Sequence, residues 1–158
     1  MRIIVDANIV FSGILKSDGK IGDLLINSGG IFKLISPDFL RIEIQRHHDK
    51  LIEISKLTLD QVLEAEFQIC KSISFISDEQ ISSVNWNLAE NLVFDVDKKD
   101  VSYIAFSKQF KAKVWSGDKK LIKGLASKGF TNFISTNELW DLRQFKLQKI
   151  SIITAYNK

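Results

Sequence analysis

The chain has one cysteine, Cys70, and one proline, Pro37, among its 158 residues. A single thiol excludes an intrachain disulfide framework and leads one to expect a reducing, cytoplasmic setting. Two histidines beside that cysteine leave no convincing His/Cys set for zinc. The scarcity of proline and the lack of Ser/Gly-rich tracts argue against linkers and disordered segments. No apolar run approaches the roughly 18 residues of a membrane span. The opening run Met1-Arg2-Ile3-Ile4-Val5 is cut short by Asp6, so neither a secretory leader nor a membrane segment is expected.

What is present is ordinary for a globular domain: 45% hydrophobic and 26% charged residues. The length suits one domain, long enough to bury a core without staples. The net charge is only +3, but it is unevenly spread. Acids outnumber bases up to about residue 79; beyond it lysines dominate, among them Lys98, Lys99, Lys119 and Lys120. A lysine-rich half can attract a polyanion, or can be no more than a solvated surface.

Short apolar runs alternate with helical patterns along the chain. Residues 2–5, 32–35, 113–116 and 132–135 read as buried strands, with a further short one over 73–77. Ser36-Pro37-Asp38 has the composition of a helix start, with Ser36 as cap and Pro37 in the first turn, and that helix is expected to run to about Lys50. Thr58 to about Ser74 reads as an amphipathic helix with Leu59, Val62, Leu63, Phe67 and Cys70 inward. A short helix is expected from Thr136. The segment 145–158 reads as a C-terminal extension to a domain of residues 1–144, either an edge strand or an interaction tail. The alternation implies an α/β fold, a three-layer α/β/α sandwich around a mainly parallel sheet of four to five strands.

In such sheets ligands bind beyond the carboxyl ends of the strands. Asp6 ends the first strand and Asp118 follows a later one, in Ser116-Gly117-Asp118-Lys119-Lys120. Each could be only a helix cap. Asp95, Asp97 and Asp100 form an acidic cluster of the ligand type that hard cations take, but without the calcium-hand pattern. Glu43 taken alone is a surface glutamate three and four residues before Arg46 and His47.

The order and setting of these residues carry more than each alone. Ile3-Ile4-Val5-Asp6-Ala7-Asn8, the Ser36–Leu40 segment with Glu43, Asp97-Lys98-Lys99-Asp100 with the helix after it, and Val114-Trp115-Ser116-Gly117-Asp118 together resemble the PIN-domain nucleases. The resemblance covers about residues 2–142 and is nearest to the small prokaryotic members that include VapC-type toxins. It implies an acidic quartet at Asp6, Glu43, Asp100 and Asp118, an additional acid at Asp97, and supporting polar groups at Asn8 and Ser116. Many members have threonine where Ser116 stands; the hydroxyl is kept. The implied activity is a metal-dependent nuclease, most often acting on RNA.

The chemistry of the residues agrees with that implication. Clustered carboxylates raise one another's pKa, and a divalent cation removes the conflict. All-oxygen ligands favour Mg2+ or Mn2+. Asp6 with Asp118, or Asp6 with Asp100, is expected to hold the principal ion. Glu43 is expected to orient the attacking water, and Asp97 to stand behind these ligands or hold a second ion. Lys98, Lys99, Lys119 and Lys120 are the expected contacts to nucleic acid. The expected partners are an RNA substrate, an antitoxin protein laid across the acidic cleft, and a second copy of the chain. Two competing readings are a phosphorylated receiver, which usually pairs acids at its first strand where this chain has Asp6-Ala7, and a non-catalytic nucleic-acid-binding or protein-interaction module.

Overall fold

The computed structural model of the protein describes residues 1–156. The elements run β1 (Arg2–Val5), α1 (Ala7–Leu15), α2 (Lys20–Asn27), β2 (Lys33–Pro37), α3 (Phe39–Arg46), α4 (His48–Ser55), α5 (Leu59–Cys70) and β3 (Ile73–Ile76). They continue through α6 (Ser83–Val93), α7 (Val101–Phe110), β4 (Lys113–Trp115), α8 (Lys119–Ala126), β5 (Phe133–Ile134) and α9 (Thr136–Tyr156). Single 3-10 turns occupy Asp78–Gln80 and Lys98–Asp100. The strands form one sheet in the order β3-β2-β1-β4-β5, and every pairing is parallel. This is the expected three-layer α/β/α fold.

The central strand shows why the sheet is covered on both sides. Side chains alternate across a strand, so Ile3 and Val5 enter one core and Ile4 the other, all fully buried. The first core takes α1, α2 and α5 through Val10, Leu25 and Ile69; the second takes α7 and α8 through Ile104, Phe106 and Leu125. Gly13 lets α1 and α5 approach, since a Cβ there would stand 3.1 Å from Ile69 Cδ1 and 2.7 Å from Leu25 Cδ1. β1 pairs with β2 on one side and β4 on the other, so the residues just past Val5 and Trp115 emerge side by side at the carboxyl edge.

Three expectations are corrected. Ser36 and Pro37 do not open a helix; they end β2. The Ser36 hydroxyl donates to the Val5 carbonyl at 2.9 Å. Asp38, not Pro37, supplies the amide to Ile76 O at 2.9 Å, and pairing to β1 has ended at Ile35, so the missing proline N–H leaves no gap in the ladder. The helix expected to run to Lys50 starts at Phe39 and breaks at His47, which closes α3 and precedes α4.

On α5, Val62 and Ile69 are buried and Cys70 is partly buried, whereas Leu59, Leu63 and Phe67 lie outward at 49%, 42% and 63% exposure. Two apolar stripes on that helix share helical spacing, and contact with Gly13 and its surroundings selects the one through Ile69.

Residues 145–156 are not an edge strand; α9 continues through them. No glycine or proline interrupts the helix formers between Trp140 and Lys149, and the β-branched residues that follow extend it. Residues 157 and 158 of that extension lie outside the described residues. The start of α9 is anchored by Arg143, whose buried guanidinium pairs with the Asp23 carboxylate and also donates to its carbonyl at 3.2 Å. Among the described residues no helix is long and apolar enough to cross a membrane.

Candidate active site

Asp6 is the first residue past β1 and only 3% exposed. Its amide donates to Trp115 O at 3.2 Å, tying it to the next strand. The Ser116 hydroxyl, one residue past β4, makes a short hydrogen bond to the Asp6 carboxylate. Ser116 Oγ in turn accepts from the Asp118 amide at 3.0 Å and from Asn8 Nδ2 at 3.4 Å, while Asn8 Oδ1 accepts from the Gly117 amide at 3.4 Å. The two supporting residues expected from the sequence thus join the ends of β1 and β4 into one web. Asp118 caps α8: its Oδ1 accepts from the Lys120 and Leu121 amides at 2.8 and 2.9 Å. Oδ2 has no hydrogen-bond partner among the described residues.

Asp100 closes a 3-10 turn and precedes α7. Burial pushes its carboxyl up, and the charges of Asp6, Asp97, Asp118 and Glu43 push it further, to about 7. That ordering of causes also locates the groups. All four expected acids, with Asp97, lie in one electrostatic neighbourhood, although they come from four separate stretches of chain. Asp6 is itself raised, mainly by burial; the Ser116 hydroxyl and the Asn8 and Ala7 amides oppose that shift, and the charge of Asp118 adds to it. Asp97, half-buried, caps that turn, its Oδ1 accepting from the Lys99 amide at 3.0 Å. Asp95 does not join: it is exposed and paired with Lys128. Lys98 and Lys99 are exposed on the turn between Asp97 and Asp100, and Lys119 and Lys120 on the first turn of α8, so all four flank the acids along the chain.

Among the described residues, no three Asp, Glu, His or Cys side chains draw close enough to enclose a metal ion. The carboxylates lie near enough to feel one another's charge but are not collapsed onto one point. Mutual repulsion favours that spacing. The donor set still fits Mg2+ or Mn2+: it is all oxygen, its charges are uncompensated, and Mg2+ keeps most of its waters while taking one or two carboxylates. The available donors are Asp6, Asp97, Asp100 and Asp118.

Two features were not found from the sequence. Tyr103, one turn after Asp100 on α7, is 2% exposed, and among the described residues the Ala7 backbone is the only hydrogen-bonding group that acts on its hydroxyl. Burial, then the charges of Asp6 and Glu43, raise its pKa strongly, so a buried phenol faces the acids. Only a tyrosine in an otherwise apolar helix face signalled it. Asp38 and Asp78, just past β2 and β3, extend the acidic edge; Asp78 is raised by burial and by Asp38, and accepts from the Ser102 hydroxyl at 2.8 Å. The strand-end rule that selected Asp6 and Asp118 selects these two as well. The histidines are engaged elsewhere: His47 Nδ1 sits 2.8 Å from Glu43 O, and His48 pairs with Glu66 at 2.7 Å.

The raised Asp100 has a consequence for stability. Folded Asp100 keeps its proton up to about pH 7, whereas an unfolded aspartate releases it near pH 4. Folding takes up a proton between those values, so this contribution to stability falls as pH rises from about 4 through about 7. Asp6 and Asp78 act in the same sense. Asp23 and Glu138, held low by Arg143 and by Ser135, lose their stabilising contribution as pH falls. The Asp100 part is isolated by difference. With divalent ions chelated, wild type should lose stability relative to Asp100→Asn between pH 5 and pH 8, read as urea midpoints. A difference independent of pH would show that Asp100 does not feel its neighbours.

The family described as PIN domain matches residues 4–150, which include every acid of the crevice. No curated protein matches the chain.

Proposed function

The chain belongs to the PIN-domain family, whose fold is of nuclease type, and from that membership we propose that it is an endoribonuclease dependent on Mg2+ or Mn2+. The observation that supports this most is the meeting of Asp6 and Asp118 at adjacent strand ends, joined through Ser116, with a buried Asp100 whose carboxyl is raised first by burial and then by the charges of Asp6, Asp97, Asp118 and Glu43. Mg2+ takes only one or two carboxylates directly and keeps most of its waters, so acids at this spacing suffice to hold it.

In this reading Asp6, with Asp118 or Asp100, holds the principal ion, and Asp97 stands behind them or holds a second. The bound ion supplies a water acidified for attack on phosphorus and stabilises charge on the phosphoryl and leaving oxygens. Glu43 orients the attacking water. Ser116 fixes the Asp6 carboxylate, and Asn8 fixes Ser116. Lys98, Lys99, Lys119 and Lys120 hold the backbone phosphates, giving affinity with little sequence information. The protein acts as the toxin of a toxin–antitoxin pair in this proposal, with the antitoxin crossing the acidic cleft and the chain forming a homodimer. The open spacing of the carboxylates favours a second reading, a nucleic-acid-binding module that does not cut.

Cleavage of total RNA by the purified chain separates the two. Cleavage is expected with Mg2+ or Mn2+, to stop in excess EDTA and to return when the ion is restored. Full cleavage in EDTA would refute the metal's part. RNA affinity indifferent to chelation, with no cleavage under any divalent ion, would establish the second reading. Antitoxin pairing is tested by co-purification with the product of a small adjacent reading frame.

A further inference from the structure

A cleft of about 380 Å3 opens between α1 and α4. Its wall is mainly apolar, with Phe11, Leu51 and Ile54, and its polar groups include Asn8, His47 and Lys50. Two of these tie it to the candidate active site. Asn8 also holds Ser116 and Gly117. His47 lies one turn after Glu43, with Nδ1 2.8 Å from the Glu43 carbonyl oxygen.

The ring of His47 is therefore held in place. A carbonyl accepts only from a protonated nitrogen, so Nδ1 carries the hydrogen and Nε2 of the neutral ring is an acceptor. Nε2 has no partner among the described residues. The ring stands edge-on to Phe11, with centroids 5.4 Å apart at 64°. Lys50 is exposed and makes no ion pair among the described residues.

We propose that this cleft receives an unpaired nucleobase of the RNA strand, next to the phosphate in the acidic crevice. The proposal rests on the ribonuclease reading above. The apolar wall and Phe11 take the base, His47 Nε2 accepts from a base N–H, and Lys50 meets a neighbouring backbone phosphate. Single-stranded RNA is recognised through such splayed bases, held by aromatic contact and by their hydrogen-bonding edges. An apolar peptide side chain would fill the same wall but would leave Nε2 and Lys50 unused.

The test compares a single-stranded oligoribonucleotide with an abasic strand of the same length, binding by anisotropy in EDTA and cleavage in Mn2+. Wild type should bind the base-bearing strand about tenfold more tightly, as aromatic contact with one base predicts. His47→Ala, and Ile54→Gln at a side chain 56% exposed, should each remove most of that preference and leave abasic binding unchanged. Equal binding of the two strands by wild type overturns the proposal. So does a preference that survives both substitutions, or a loss that falls equally on both strands. RNA cleavage without base preference sinks the subsite and spares the ribonuclease reading; no binding and no cleavage of either strand sinks both.

Discussion

Asp6→Asn should lower cleavage by about a thousandfold or more while the protein unfolds at the same urea concentration as wild type, or higher. The loss follows from the cation. A bound divalent ion contributes several kcal/mol to the transition state, and each 1.36 kcal/mol is tenfold in rate. Asn keeps an oxygen that can accept the Ser116 hydroxyl but no longer offers a charged ligand. The retained stability follows from burial. Asp6 is 3% exposed and its carboxyl is raised mainly by desolvation, so its charge opposes folding unless a cation compensates it. The amide also removes one of the charges that push Asp100 up, and Asp100 should return toward the ordinary carboxylate range. The checks are initial cleavage rates in saturating Mn2+ and urea midpoints in EDTA. Metal-dependent cleavage at near wild-type rate in Asp6→Asn would remove Asp6 from the mechanism. Asp6→Ala is the poorer probe, because it strands the Ser116 hydroxyl.

Local signals were legible and distant ones were not. The run Ile3-Ile4-Val5 ended by a carboxylate is a property of adjacent residues, and β1 with Asp6 stands where that pattern puts it. Ser36-Pro37-Asp38 matches a helix start just as well locally. The Val5 carbonyl, 31 residues away, and the pairing with β3 override it. The choice between the Leu59/Leu63/Phe67 stripe and the Val62/Ile69 stripe depended on Gly13 across the core, which no window of α5 contains.

For the site, strand-end logic reached Asp6 and Asp118. It should equally have reached Asp38 and Asp78, which follow β2 and β3. Glu43 and Asp100 were identified through family resemblance, since a glutamate within a helix and an acid before one are ordinary features taken singly. Tyr103 was hidden because a tyrosine in an apolar face reads as core. Only the place of its buried hydroxyl, beside Asp6 and Glu43, sets it apart.

Trp115→Ala should cost about 3–5 kcal/mol, the range for deleting a large aromatic from a core, against a total stability of about 5–15 kcal/mol. Trp115 has no exposed surface. It stands on β4 between Val5 and Ile134, and its indole donates to Thr136 Oγ1 at 3.0 Å, where α9 begins. Its removal leaves a cavity at the sheet face and frees the start of α9. The urea midpoint, followed by circular dichroism, should fall steeply with little change in slope. Trp115→Phe should cost less, losing the bond to Thr136 but filling most of the space. The same residue carries the site: its carbonyl receives the Asp6 amide, and its neighbour Ser116 holds the Asp6 carboxylate. Cation affinity in Trp115→Phe should therefore drop more than a fully solvated acid cluster would allow, because the alignment of Asp6 with Asp118 depends on how firmly β4 is packed. A Trp115→Ala protein as stable as wild type would mean that β4 does not lie between two packed layers. The meeting of Asp6 and Asp118 at adjacent strand ends would then lose its structural cause.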